Sequence, residues 1–222
     1  MRRLTGLLLP LIIIAAGLPA PLLAAQSQTN TFTATADTYV HAGYPTSAFG
    51  TQDLLYVVLG TPPNRSRILV NFDLSALAGA QIQSATLRLQ MYQSGTTSMP
   101  AFLSRISEPW TEAGATWNAQ PATTSSLPEA QFTKSTPTLA FDVTPTIVEA
   151  AADPSSFYGI ELASRETGNA FTFAFSSRER TASPPTLEVT YTPAVDTAGP
   201  VVSGTTIENI GLTSAVAVFS TD

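Results

Sequence analysis

The chain has 222 residues, no cysteine, one histidine and 12% charged residues, with a formal net charge of −6. The lack of cysteine excludes disulfide bonds, thiolate metal sites and cysteine nucleophiles, and the negative charge argues against nucleic acid, whose phosphates bind basic surfaces. Hydrophobic residues make up 44% of the chain, which is enough for a packed core, so the composition is that of a folded protein.

Residues 1–25 have the regions of a secretory signal peptide in their usual order. Two arginines follow the initial methionine, residues 4–18 are almost wholly apolar, and the small pair Ala24-Ala25 suits a cleavage site. A proline and a glycine interrupt the apolar run, which stays short of the ~20 residues that span a bilayer. We therefore expect cleavage near Ala25, a secreted extracellular protein, and no membrane contact after cleavage.

Residues 31–192 consist of short runs in which apolar and polar residues alternate, separated by clusters of Gly, Pro, Asn and Ser. This alternation indicates strands with one buried and one solvated face. The predicted strands lie near 31–40, 54–59, 68–72, 87–91, 101–107, 131–142, 158–164, 171–175 and 187–191. Hairpin-like spacing with almost no helix predicts an all-β fold, an antiparallel jelly-roll-like β-sandwich over residues 26–192.

One short helix is predicted within this sandwich. Thr144 can cap it, Pro145 suits its first turn, and Asp153-Pro154 ends it. A second, shorter turn is predicted to begin at Asp73.

The character of the sequence changes after Tyr191. Residues 193–200 are rich in Pro, Thr, Ala and Gly and predict a linker. Residues 201–222 contain two runs typical of strands, which are too few to bury a core alone. We interpret them as the start of an incomplete second domain, so that the full protein has further domains beyond Asp222.

The sequence offers little for catalysis, and we predict that the domain is not an enzyme. The single histidine, His41, is not accompanied by a Gly-x-Ser-x-Gly nucleophile elbow, and a zinc site of three histidines is excluded. Glycoside hydrolysis needs two paired carboxylates, and nothing in the sequence pairs any two of its acidic candidates. These candidates are Glu108, Glu112, Asp142, Glu161 and Glu188.

Aromatic residues in loops are the first candidates for binding. Trp110 and Trp117 lie in one glycine-containing segment, residues 109–118. An exposed indole can stack on the apolar face of a sugar ring while neighbouring Asn, Glu and Thr bond its hydroxyls. Alternatively, the two rings hold a long loop against the edge of the sandwich. Tyr44 is a third loop aromatic with the same two interpretations.

Arg178 and Arg180 form a second binding candidate, in the loop after the strand near 171–175. Two arginines this close in an extended loop can bind the carboxylates of an acidic sugar. The alternative is ion pairing within the chain, with Glu179, Glu166 or Glu161 as partners.

Three aspartates at strand ends, Asp37, Asp73 and Asp142, are candidate ligands of a structural calcium ion, which binds carboxylate and carbonyl oxygens. No Asp-x-Asp-x-Asp spacing connects them. The alternative is therefore that each one caps a turn. No other cofactor is predicted.

Several segments follow one another in an order that resembles one family of extracellular domains. They are Ala36-Asp37-Thr38-Tyr39-Val40, Phe49-Gly50, Phe72-Asp73-Leu74-Ser75, Glu108-Pro109-Trp110-Thr111-Glu112, Thr116-Trp117-Asn118 and Phe141-Asp142-Val143-Thr144. Over residues 31–192 the sequence resembles the bacterial DNRLRE domain, which is grouped with family 96 of the carbohydrate-binding modules. The resemblance implies a non-catalytic jelly-roll sandwich on secreted or surface proteins, with an acidic polysaccharide such as alginate as ligand. Residues 199–222 resemble the first strands of a fibronectin type III-like domain.

The scarcity of cations is a departure from this pattern. Modules that bind alginate are expected to use several basic side chains, whereas Lys134 is the single lysine of this chain. This favours a neutral glycan or a purely structural role over a polyanion. The leading hypothesis is a secreted module that holds a polysaccharide by stacking and hydrogen bonds. The alternative is a structural or adhesive β-sandwich of a multidomain cell-surface protein.

Overall fold

The computed structural model describes residues 26–93, 98–132, 137–165, 171–194, 202–208 and 216–221, the last two ranges by their backbone alone. The predicted signal peptide and most of the predicted linker lie outside the described residues. The strands are β1 (Gln28–Thr33), β2 (Ala36–His41), β3 (Leu54–Leu59), β4 (Ser66–Asn71), β5 (Gln81–Gln93), β6 (Met99–Ile106), β7 (Thr123–Ser126), β8 (Ala130–Phe132), β9 (Thr138–Asp142), β10 (Ile160–Ala163), β11 (Phe171–Ser176), β12 (Thr186–Thr192), β13 (Val202–Glu208) and β14 (Val216–Thr221).

Strands β1 to β12 form one curled sheet in the order β1-β12-β5-β11-β3-β4-β10-β6-β7, with β2 on β4, β8 on β6 and β9 on β5. Every strand pair among the described residues is antiparallel. The long strand β5 lets the sheet curl, because its first part pairs with β12 and β9 whereas Met91 and Gln93 pair with β11. The predicted all-β class is confirmed. Strands β13 and β14 form a separate pair.

The main core is one apolar cluster that draws residues from most strands of the curled sheet. Leu87 and Leu89 are fully buried whereas Arg88 and Gln90 are partly exposed, so the alternation in the sequence correctly predicts the faces of β5. In β11, Phe173 and Phe175 are fully buried as predicted, but Ala174 between them is fully buried too, so the solvated face predicted for this strand is wrong. The ring centroid of Phe132 lies 5.6 Å from that of Phe173 and 5.9 Å from that of Phe175. Burial of each such side chain contributes about 1.5–3 kcal/mol, which makes these rings a main source of stability.

The predicted helix is present as α1 (Thr144–Ala152), with Pro145 in its first turn. The expected cap is wrong, because Val143 precedes the helix and no side chain caps it. Instead, the Thr144 hydroxyl donates to Asp142 Oδ1 (2.6 Å) and accepts from the Ala85 backbone N–H (2.9 Å), which ties the helix start to β5. Within the described ranges, no helix is long and apolar enough to cross a membrane.

Short 3-10 helices cover Ser75–Leu77 and Pro154–Ser156, the first of them at the predicted second turn.

Three strand predictions differ from the structure. The strand predicted over residues 31–40 is interrupted at Ala34. The Ala34 N–H donates to the Pro185 carbonyl oxygen, whereas the Thr35 N–H donates to the Asn71 carbonyl oxygen. The chain therefore leaves β12 and joins β4 at this point. The run 131–142 contains parts of two strands, β8 and β9. Strand β7 was missed because its four Thr and Ser residues show no alternation.

Candidate functional site

The loop between β6 and β7, residues 107–122, is called the Trp loop here because it carries both tryptophans. It covers the face of the sheet opposite the main core, where Val40, Leu69 and Ile106 form a second apolar cluster with Ala115 of the loop. Both indoles pack against this cluster. The loop is held in place because it removes this apolar face from water.

Trp110 fastens the loop by two kinds of contact. Its ring is half-buried against the second cluster, and its Nε1–H donates to the Tyr158 carbonyl oxygen at 2.7 Å. The indole therefore has its polar group satisfied and part of its apolar body covered, while the rest of the ring stays accessible.

Trp117 lies beside two cations. The guanidinium carbon of Arg65 is 4.7 Å from the centre of its ring, and that of Arg67 is 5.3 Å away. Arg67 also reaches Gln120 Oε1 (3.2 Å) and Glu161 Oε2 (3.5 Å). Each cation–π contact of this kind contributes about 0.5–2 kcal/mol, so the ring is part of an ordered polar surface.

A pocket of about 450 Å³ opens within the Trp loop. Its volume is in the range of small-ligand sites, and its wall combines an indole with polar side chains. The lining residues are Glu108, Pro109, Trp110, Thr111, Gly114, Ala115, Ala119, Gln120 and Pro121.

Tyr44 lies on the neighbouring loop and is 60% exposed. The two loops are joined by a hydrogen bond from the Asn118 N–H to the Pro45 carbonyl oxygen (3.0 Å). His41 lies beneath Tyr44, with ring centroids 5.2 Å apart, and its Nδ1 accepts from the Gly43 N–H. Burial lowers the pKa of His41, which is held neutral in this turn.

The two arginines of the predicted binding pair have different partners. Arg178 donates to both carboxylate oxygens of Glu112, at 2.7 and 3.3 Å, and its Nε lies 3.3 Å from Glu179 Oε1. Arg180 contacts Asp53 (3.1 Å) and lies over the ring of Tyr92. Both arginines make ion pairs within the chain. Of the acids predicted as their partners, Glu179 contacts Arg178, Glu161 contacts Arg67, and Glu166 lies outside the described residues.

Arg178 contacts three carboxylates that lie close together, those of Asp37, Glu112 and Glu179. We call these three residues the acidic cluster. Their oxygens lie within 4.8 Å of one another. Asp37 is 1% exposed; its Oδ2 accepts from the Arg178 backbone N–H (2.8 Å), and its own N–H donates to Glu112 Oε1 (2.8 Å). Burial, reinforced by the two neighbouring glutamates, raises the pKa of Asp37 to about 7. Sequence reasoning missed this grouping, although it singled out each of the three segments.

These residues lie in a chain that matches the family model described as carbohydrate-binding module family 96 over residues 28–191. The chain belongs to this family. The match includes all of β2 to β11, α1, the Trp loop and the acidic cluster of the family 96 module. Modules of this kind are typically non-catalytic and usually extracellular, and the family indicates a carbohydrate partner. No curated protein matches the chain closely enough to count as a relative.

The other two aspartates predicted as calcium ligands lie apart from the acidic cluster of the family 96 module. Asp73 Oδ1 accepts from the Ser75 N–H (3.0 Å), and Asp142 Oδ1 accepts from the N–H (2.9 Å) and hydroxyl of Thr144. These hydrogen bonds lower the pKa of both carboxyls. Each therefore has the turn-capping role that the sequence left open, and in the described part of the chain only Asp37 is grouped with other acids.

Replacing Gly50 by alanine is expected to lower the free energy of unfolding of the family 96 module by about 1–3 kcal/mol. A Cβ at Gly50 would lie 2.8 Å from the backbone oxygen of Glu112 and 2.9 Å from its carbonyl carbon, so the Trp loop would have to shift. Chemical denaturation measures the loss. The control is Thr51→Ala at the exposed neighbouring position, whose free energy of unfolding should stay within about 0.5 kcal/mol of the parent's. Equal stability of the two variants would contradict the prediction.

Proposed function

We propose that this family 96 module is secreted and holds a polysaccharide in the Trp-loop pocket by stacking and hydrogen bonds, without covalent chemistry. The observation that carries the proposal is a pocket of about 450 Å³ that places the indole of Trp110 beside the polar side chains of Glu108, Thr111 and Gln120. An indole offers an apolar surface to a sugar ring, and the polar groups offer partners to its hydroxyls.

Tyr44 extends this surface beyond the pocket. Its ring is mostly exposed and lies on a loop that is hydrogen-bonded to the Trp loop at Asn118. A chain of sugars that leaves the pocket on this side would meet a second aromatic ring. We therefore assign stacking contacts to Trp110 and Tyr44. Trp117, held by Arg65 and Arg67, shapes the rim, and Arg178 and Arg180 support neighbouring loops through their ion pairs.

The ligand proposed is a neutral polysaccharide. None of the described residues that line the pocket is basic, and Glu108 adds a negative charge to its wall. Most described arginines are already matched with a carboxylate of the same chain. These pairs are Arg67–Glu161, Arg88–Glu188, Arg105–Glu149, Arg178–Glu112 and Arg180–Asp53. A polyanion such as alginate would have to break such pairs, which disfavours its binding.

The test is a substitution that fills the pocket with a larger side chain without removing any of the contacts around it. Ala119 is an exposed lining residue, and Ala119→Phe should weaken binding of a neutral polysaccharide at least about tenfold, or 1.4 kcal/mol. Ala113→Phe, on the exposed part of the same loop but outside this pocket, is the matched control and should bind as the parent does. Affinity electrophoresis against xylan, mannan, mixed-linkage glucan and alginate gives the readout. Parent-like binding by Ala119→Phe would refute the assigned pocket, and preference for alginate would refute the neutral ligand.

A second candidate function is a structural or adhesive module of a multidomain surface protein. It is favoured by the observation that both indoles are engaged within the domain, Trp110 with Tyr158 and Trp117 with Arg65 and Arg67. Absence of binding by the parent to every polysaccharide of the panel would support this alternative.

The finer architecture belongs to the same proposal. We propose that the curled sheet closes into a jelly-roll-like sandwich of the DNRLRE type, with β5 shared between its two layers. Residues 1–25 act as the signal peptide, which is supported by their basic, apolar and small-residue regions. Residues 193–200 act as the linker to a fibronectin type III-like domain, whose first two strands would be the antiparallel pair β13 and β14.

A further inference from the structure

The acidic cluster joins three segments that are distant in the chain: edge strand β2, the Trp loop, and the loop between β11 and β12. We propose that it is a calcium site that locks these segments together. The proposal is independent of the glycan pocket.

The first support is an unsatisfied atom. Asp37, on edge strand β2, is 1% exposed, and its buried Oδ1 has no hydrogen-bond partner among the described residues. Its Oδ2 accepts a hydrogen bond from the Arg178 N–H. A buried carboxylate oxygen without a donor is costly, and a cation is the ligand that would satisfy it.

The second support is charge. Three carboxylates face one guanidinium, which leaves a formal charge of −2 on the acidic cluster when all of its groups are ionised. One divalent cation neutralises that charge. Carboxylate oxygens are the ligands that calcium prefers among protein side chains.

The third support is spacing. The ligand oxygens of Asp37, Glu112 and Glu179 lie within 4.8 Å of one another. Two oxygens bound to one calcium ion can be as far apart as about 4.6–5.2 Å, which is twice the calcium–oxygen distance of about 2.3–2.6 Å. A single calcium ion can therefore contact an oxygen of each of the three carboxylates.

Access and the remaining ligands come from the neighbouring cavity. Glu112 also lines a pocket of about 480 Å³ beside Thr51 and Thr111, through which an ion and its water ligands can reach the carboxylates. Arg178 occupies part of the same space as a competing cation, since its guanidinium contacts both glutamates. Calcium binding therefore releases the Arg178 side chain while its backbone N–H stays on Asp37.

The test uses the secreted chain after dialysis against a chelator. Calcium at a hundredfold excess over its Kd should raise the Tm by about 5–10 °C, and magnesium at the same concentration should raise it less. Glu179→Gln should weaken calcium binding at least about tenfold in isothermal titration calorimetry, because a net charge and a ligand are lost. Arg178→Gln should tighten it by a similar factor, because the competing cation is removed.

Glu188→Gln is the matched control. It removes an acid that pairs with Arg88 on β12, outside the acidic cluster, and should leave calcium binding unchanged. Glu179 lies near the surface, so its variant keeps the fold even if Asp37→Asn does not. Absence of a Tm shift in the parent up to 10 mM calcium (about ten times the Kd of the weakest extracellular sites) overturns the proposal. So does equal calcium affinity of the Glu179→Gln and Glu188→Gln variants.

Discussion

In calcium-free buffer, the free energy of unfolding should fall by about 3 kcal/mol between pH 4 and pH 7 through the titration of Asp37 alone. Its pKa in the folded protein is about 7, against 3.8 for an unperturbed aspartate. Between these values the folded state keeps a proton that the unfolded state has lost. The stabilisation is therefore fully present below pH 3.8 and is lost as the pH rises through about 7.

The Asp37→Asn variant isolates this effect. Because an asparagine cannot ionise, its free energy of unfolding should lack the fall of about 3 kcal/mol between pH 4 and pH 7. Urea denaturation of both proteins at each pH unit from 4 to 8 measures the difference. The groups that face Asp37 are Glu112, Glu179 and Arg178, and all three stay in place in the variant.

Asp73→Asn is the companion control. The pKa of Asp73 is lowered by hydrogen bonds from Ser75, so its contribution is lost only as the pH falls below about 4. This variant should keep the parent's slope between pH 4 and pH 7. Parallel pH profiles for the parent and Asp37→Asn would show that Asp37 titrates normally.

Replacing Trp110 by alanine should lower the free energy of unfolding by about 3 kcal/mol and abolish glycan binding. The change removes a half-buried ring from the second apolar cluster, together with the hydrogen bond to Tyr158. Trp110→Phe keeps one aromatic ring but loses that hydrogen bond, which contributes about 1 kcal/mol, and part of the apolar contact area. Chemical denaturation should therefore rank the parent above Trp110→Phe, and Trp110→Phe above Trp110→Ala.

Tyr44→Ala separates loop anchoring from sugar stacking. Tyr44 is 60% exposed, so its removal should leave the free energy of unfolding within about 0.5 kcal/mol of the parent while it weakens glycan binding. Equal stability of Trp110→Ala and Trp110→Phe would mean that the indole does not hold the loop. Unchanged glycan binding by Tyr44→Ala would remove that ring from the ligand surface.

Strands were the most predictable feature of this protein. In β5 and β12 the alternation of apolar and polar residues corresponds to one buried and one more exposed face, as Leu87 and Leu187 illustrate. The strand predictions were wrong where a strand lacks alternation, and where the alternation continues although the chain changes from one partner strand to another. Strand β7 is built of Thr and Ser only, and the break at Ala34 depends on hydrogen bonds to Pro185 and Asn71, which are far away in the chain.

Single residues of the candidate site were also identified from the sequence, but their companions were not. Asp37 was selected as a metal ligand, and Arg178 as a binding residue. Glu112, however, is 75 residues from Asp37, and Arg178 is 141 residues from it. The residue types suggested the chemistry, whereas the contacts between them depend on how β2, the Trp loop and the loop after β11 meet.

By itself, the sequence determined the strand-rich class, the one helix and the lack of cysteine chemistry, because these depend on local periodicity and composition. Only the tertiary structure decided which loop side chains are buried and which charged groups are paired. It buried Asp37 beside two glutamates, paired Arg178 with Glu112, and packed Trp110 against the second apolar cluster. Burial and charge pairing are set by neighbours that are distant in the chain, so no local pattern carries that information.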